Sequence, residues 1–111
     1  MYARIARFEG GDPASIDKQV ADIKSQIAAS RASGPPDDAP AEMRTLTETV
    51  SRFVELVDRK TGTSLGISFC ETEDEMRRAD EALNRMSPPD DSGGRRTSVE
   101  IYEVALDETF K

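Results

Sequence analysis

Apolar and polar residues along this chain switch between two periods, and the order of the switches predicts a fold. Residues 2–9, Tyr-Ala-Arg-Ile-Ala-Arg-Phe-Glu, read as a strand that Gly10-Gly11 ends. Asp12 followed by Pro13 reads as an N-cap with proline at the first helical position. Ile16, Val20, Ile23 and Ile27 then recur at helical spacing, which predicts an amphipathic helix over 15–30. Residues 47–59 are the longest strand candidate, Thr61-Gly62-Thr63 makes a turn, and 64–70 form the next strand. Two such runs joined by a short glycine-containing turn predict a hairpin. Thr72 and Glu75 match the capping box, and Glu73, Asp74 and Glu75 sit where a helix dipole favours negative charge. Met76, Ala79, Leu83 and Met86 supply the buried stripe of this second helix, and Ser87-Pro88-Pro89 stops it. A loop over 90–96 leads to a last strand over 97–106.

The resulting order, β-α-β-β-α-β, is the ferredoxin-like or split-βαβ plan. It predicts an α+β domain: a four-stranded antiparallel sheet with two helices on one face. Residues 31–46 are expected as a flexible loop rich in Pro, Asp and Ala, because Pro35-Pro36 and Pro40 forbid a continuous helix there. The loop reads either as a solvated linker or as a flap over a pocket.

The strands alternate imperfectly, and this bears on assembly. In the last strand Val99, Ile101 and Ala105 oppose Tyr102, Val104 and Leu106. In the second, Phe53 and Val57 oppose Val54 and Leu56. Both faces of the sheet therefore carry apolar side chains. With helices on one face, the other is most simply buried against the sheet of a second copy, giving a homodimer.

Composition narrows the function. The chain has 111 residues, the length of one domain, and only 36% are hydrophobic, which implies a thin core. Net charge is −7, and basic clusters such as Arg77-Arg78 and Arg95-Arg96 are no more than short pairs, so no nucleic-acid partner is expected. No long apolar run marks a membrane span, and no secretory leader is read, so a cytoplasmic setting is expected. The single cysteine, Cys70, excludes an internal disulfide and a multi-cysteine metal site. The absence of histidine removes the commonest general base and metal ligand.

The run Val57-Asp58-Arg59-Lys60-Thr61-Gly62, then Leu65-Gly66-Ile67-Ser68-Phe69 and the capped helix from Thr72, resembles the dimeric α+β-barrel superfamily. The nearest branch is antibiotic-biosynthesis-monooxygenase-like. The stretch from Gly66 to Met86, with Arg95-Arg96-Thr97-Ser98-Val99, resembles small actinobacterial proteins of this type. The resemblance implies a homodimer whose two sheets share a barrel, with a small cavity between each sheet and its helices. Catalytic members oxidise polycyclic aromatics without metal or flavin, or bind and degrade haem. The haem-degrading members use an Asn, a Trp and a His. Cys70 stands at the place of their Trp, no Asn lies near Arg4 to Ala6, and the only Asn is Asn84. No cofactor is expected.

Individual side chains carry two readings each. Cys70, between a strand and a helix N-terminus, is either an activated thiol or a buried inert one crowded by Glu71, Glu73 and Asp74. Tyr102 and Tyr2 either hold a phenolic ligand or simply pack. Arg4, Arg7 and Arg52 either bind an anionic ligand or pair across strands with Glu55, Glu100 or Glu103. Glu73, Asp74 and Glu75 point in different directions around a helix, so they cap rather than hold a metal. The candidate ligand-binding set is Tyr102, Arg52, Phe53, Phe69 and Cys70, with no catalytic residue assigned. The function expected is that of a small homodimer that binds or oxidises a hydrophobic, aromatic compound. The alternative is a non-catalytic dimeric binding or stabilising module. A pocket lined by Tyr102 and an arginine favours the first; a cavity filled by Phe53, Phe69 and Met76 favours the second.

Overall fold

The computed structural model describes residues 1–34, 41–86 and 94–111. The chain forms β1 (Tyr2–Glu9), α1 (Pro13–Ser33), α2 (Ala41–Thr49), β2 (Val50–Asp58), β3 (Thr63–Cys70), α3 (Glu73–Arg85) and β4 (Arg95–Glu103). It is an α+β fold with one open four-stranded sheet in the order β2-β3-β1-β4, every neighbour antiparallel. It follows that β1 and β2 run parallel with β3 between them.

The caps read from the sequence set the helix starts. The Asp12 carboxylate accepts from the Ser15 backbone N–H at 3.2 Å, with Pro13 in the first turn. Thr72 Oγ1 accepts from the Glu75 N–H at 3.1 Å and donates to its carboxylate at 3.2 Å. The hairpin turn needs its glycine: Gly62 has φ of 73°, and a Cβ there would stand 2.4 Å from the Gly11 carbonyl oxygen.

Three elements depart from the expected pattern. The region 31–46 is not all loop: α1 runs on to Ser33, and a third helix, α2, occupies 41–49 and delays β2 to Val50. A proline disfavours helix for the residue before it and not for those after it, so Pro40 leaves the run from Ala41 free to coil. The rest of that predicted loop, 35–40, lies outside the described residues, as does the predicted stop at Ser87-Pro88-Pro89. The last strand spans Arg95–Glu103 and not 97–106. The Val104 N–H still donates to the Met1 carbonyl at 2.9 Å, one residue past the end of the strand.

Register sorts the side chains into two faces. Tyr2, Arg4, Ala6 and Phe8 lie level with Cys70, Ser68, Gly66 and Ser64, and Phe53, Glu55 and Val57 continue these rows onto β2. This face is the covered one: Arg4, Ala6, Ser64, Ser68 and Cys70 are all buried, and Arg4 bonds to α3. The opposite face carries Ala3 and Ile5, then Leu65, Ile67 and Phe69, then Arg52, Val54 and Leu56. Apart from the buried Ala3, its apolar side chains are only partly covered, and Leu56 is 49% exposed.

The core is thin, as the composition predicts. Cys70, Met76 and Ala79 form one buried cluster, flanked by Tyr2, Leu46 and Val50, and α2 packs on α3 beside it. Ile16 is the anchor of α1, at 1% exposure, while Ile27 at the far end of the predicted stripe is exposed. An ion pair from Arg59 to Asp17 ties α1 to the hairpin.

Candidate functional site

The end of the sheet where β1 begins and β4 ends opens into a groove against α3. It has a volume of about 380 Å³, within the range of small-molecule sites. Tyr2, Met76, Ile101 and Tyr102 give it apolar surface, and Glu73, Arg77, Asp80 and Glu103 give it charge. The positions follow from the elements. Tyr2 starts β1 and lies level with Glu103, and Ala3 lies level with Tyr102, so both tyrosines come to the same end of the sheet. The first two turns of α3 supply Glu73, Met76, Arg77 and Asp80 at helical spacing, which sets them along one side.

Beneath the groove lies Arg4, 4% exposed. Its Nε donates to Asp80 Oδ1 at 2.8 Å and one terminal nitrogen to Asn84 Oδ1 at 3.0 Å. Asn84 also accepts from Arg96 at 2.9 Å. Two arginines from adjacent strands thus hold the side of α3 that carries Asp80. Arg77 bonds to Asp74 at 2.8 Å. The Tyr102 hydroxyl donates to Glu100, two residues back on the same strand face, and this bond, with the charge of Glu100, raises the phenol's pKa. Tyr102 is therefore a hydrogen-bonding wall rather than a phenolate base.

The five sequence-predicted site residues do not converge. Arg52, Phe69 and Tyr102 share the open face and stand in one row, Arg52–Phe69–Ala3–Tyr102. Three strand spacings, about 14 Å, separate the first from the last. Arg52 lies over the Phe69 ring, 5.7 Å from its centroid, a cation–π contact. Phe53 and Cys70 are on the other, helix-covered face. Phe53 lies against Gly66, with a ring carbon 3.5 Å from where a Cβ would sit. Cys70 is fully buried, and burial first, then Glu75 and Glu71, push its thiol pKa up. Among the five, only Tyr102 lines the groove, and the arginine that accompanies it is Arg77.

The expected cross-strand arginine pairs also resolve differently. Arg4 pairs with Asp80 on α3, Arg7 with Glu9 on its own strand at 3.4 Å, and Arg52 with the Phe69 ring. Strand register alone places an arginine on a face; it does not say that a helix will offer the nearer carboxylate. The sequence reading placed neither Asp80 nor Arg77 at a site and gave Met76 only as the filling of a cavity, although their spacing along the capped helix was visible. Glu55, expected as a cross-strand partner for an arginine, lies half-buried on the covered face with its pKa raised by desolvation.

A second, smaller groove of about 110 Å³ lies between α2 and α3, lined among others by Thr45, Arg78 and Glu81. No group of three or more His, Cys, Asp or Glu side chains among the described residues is arranged to hold a metal ion. Among the described residues, no helix is long and apolar enough to cross a membrane. Comparison with known proteins found no matching family model, no matching curated protein and no matching solved structure.

Proposed function

We propose that this chain is a ferredoxin-like subunit of a homodimeric α+β barrel, of the antibiotic-biosynthesis-monooxygenase-like type, that binds a small hydrophobic, aromatic compound in a cytoplasmic setting. The observation that carries the reading is the groove itself, lined by Tyr2, Met76 and Ile101, with Tyr102 of the edge strand and Arg77 of α3 also among its lining residues. That combination suits a flat ring bearing a polar group. The strand order β2-β3-β1-β4, with β3 between the parallel pair β1 and β2, supports the ferredoxin-like plan. The half-exposed apolar rows of the open face support a second copy as its cover. In that arrangement Arg52 and Phe69 line the shared barrel, while Tyr102 serves both the barrel edge and the groove.

Binding is the activity proposed. Cys70 offers no accessible nucleophile, and the chain has no histidine to act as base. Chemistry at the groove therefore rests on the ligand's own reactivity and on exclusion of water. The test is a thermal-shift screen of the full chain against phenols and quinones, repeated with Tyr102→Phe, Tyr102→Ala and Arg52→Ala. A stabilising ligand is expected. Tyr102→Ala should weaken it by about tenfold and Tyr102→Phe by less, since one costs a ring and the other a hydroxyl. Arg52→Ala should leave it unchanged, being at the opposite edge of the sheet. A ligand whose binding ignores both Tyr102 variants sits elsewhere, and a screen with no stabilising compound returns the chain to the non-catalytic module reading.

A further inference from the structure

The charges around the groove say which aromatic compounds it takes. Resting on the groove as the ligand site, we infer that it selects aromatic amines, carried as cations, over neutral and anionic aromatics. Three carboxylates line it: Glu73, Asp80 and Glu103. Asp80 is neutralised by Arg4 from below, at 2.8 Å. Arg77, the one cation among the described lining residues, is held by Asp74, also at 2.8 Å. No lining cation is left for Glu73 or Glu103, and both side chains are exposed.

A fourth carboxylate adds to the field. Glu100 accepts the Tyr102 hydroxyl on the opposite face of the edge strand, and its charge, uncancelled by that neutral donor, acts on the groove only from a distance. Tyr2, which lines the groove on the α3 side of the sheet, adds the negative π-face of an aromatic ring. An ammonium on a short arm from a ring gains on both counts, from the carboxylates and from that ring. A carboxylate on the same arm meets repulsion from Glu73 and Glu103, which is discrimination by an unfavourable contact rather than by a lost one. The groove is open to water, so each exposed pair is modest, and preference is built from several.

The experiment keeps the ring and changes the charge. The full chain is titrated with phenethylamine, 2-phenylethanol and phenylacetate, followed by NMR shifts of residues on α3 and β4. The amine should bind about tenfold tighter than the alcohol, and phenylacetate weakest, with the amine's advantage shrinking as salt is added. Glu103→Gln and Glu73→Gln should each cut the amine-over-alcohol ratio by about threefold. Arg77→Gln should raise that ratio. Equal affinity of amine and alcohol, or tighter phenylacetate, overturns the charge selection and leaves the groove standing as an aromatic site. Absence of shifts with all three probes overturns both.

Discussion

Arg4 and Asp80 are separated by most of the chain, yet the Arg4 Nε donates to Asp80 Oδ1 at 2.8 Å, and the Arg4 side chain is only 4% exposed. The pair fixes α3 to the first strand and so sets the shape of the groove. Because Arg4 is charged and enclosed, removing its partner costs more than the pair contributes. Asp80→Ala should destabilise the fold by about 3 kcal/mol in urea denaturation with the slope unchanged. Arg4→Met in the same background should recover much of that loss, because it withdraws the stranded charge. A double variant no more stable than Asp80→Ala would show that the pair is not what anchors α3.

Glu55 predicts a pH dependence. Burial raises its pKa above the ordinary 4.5, so the folded chain holds this proton more tightly than the unfolded one. A group raised in the folded state contributes stability that is full at low pH and is lost as pH rises from about 4.5 through the folded value. Glu55→Gln should remove this decline. The measurement is the urea midpoint of parent and variant between acid and neutral pH. The variant's advantage should grow as pH rises, and a difference that does not change with pH would contradict it.

Cys70 should be chemically silent in the native state. Its thiol is fully buried, and its pKa is raised first by burial and then by Glu75 and Glu71. Alkylation by iodoacetamide at neutral pH should therefore run on the order of a hundredfold slower than for a free thiol and accelerate in urea, as mass spectrometry would record. Modification at the free-thiol rate would mean that the β3–α3 junction opens readily.

The open sheet face predicts an assembly and a way to break it. Ile67 sits near the middle of that face, level with Val54 on one side and Ile5 on the other. The parent should sediment as a dimer at micromolar concentration. Ile67→Arg should sediment as a monomer with the same far-UV circular dichroism, because a charge on a buried face opposes association without touching the helix side. A parent that sediments as a monomer refutes the dimer outright.

Periodicity alone determined most of the elements: four strands, the hairpin turn at Gly62, and two helices opened by Asp12 and Thr72. Each depends on contacts within a few residues, and such contacts are written in local spacing. It also placed Phe53 and Val57 opposite Val54 and Leu56, because strand alternation is itself local. The helix at Ala41–Thr49 was not legible: it lies after a proline-rich run, carries a short stripe, and is held by packing on α3. The site was decided by tertiary structure. Arg4 was expected to pair with a carboxylate on the strands, Glu55, Glu100 or Glu103, and the one it takes lies on a helix 76 positions away. Which tyrosines share a groove, and whether Arg52 or Arg77 joins them, depends on strand order and on the side of α3 turned to the sheet. Those are relations between elements, fixed only when the sheet is assembled and α3 is packed against it.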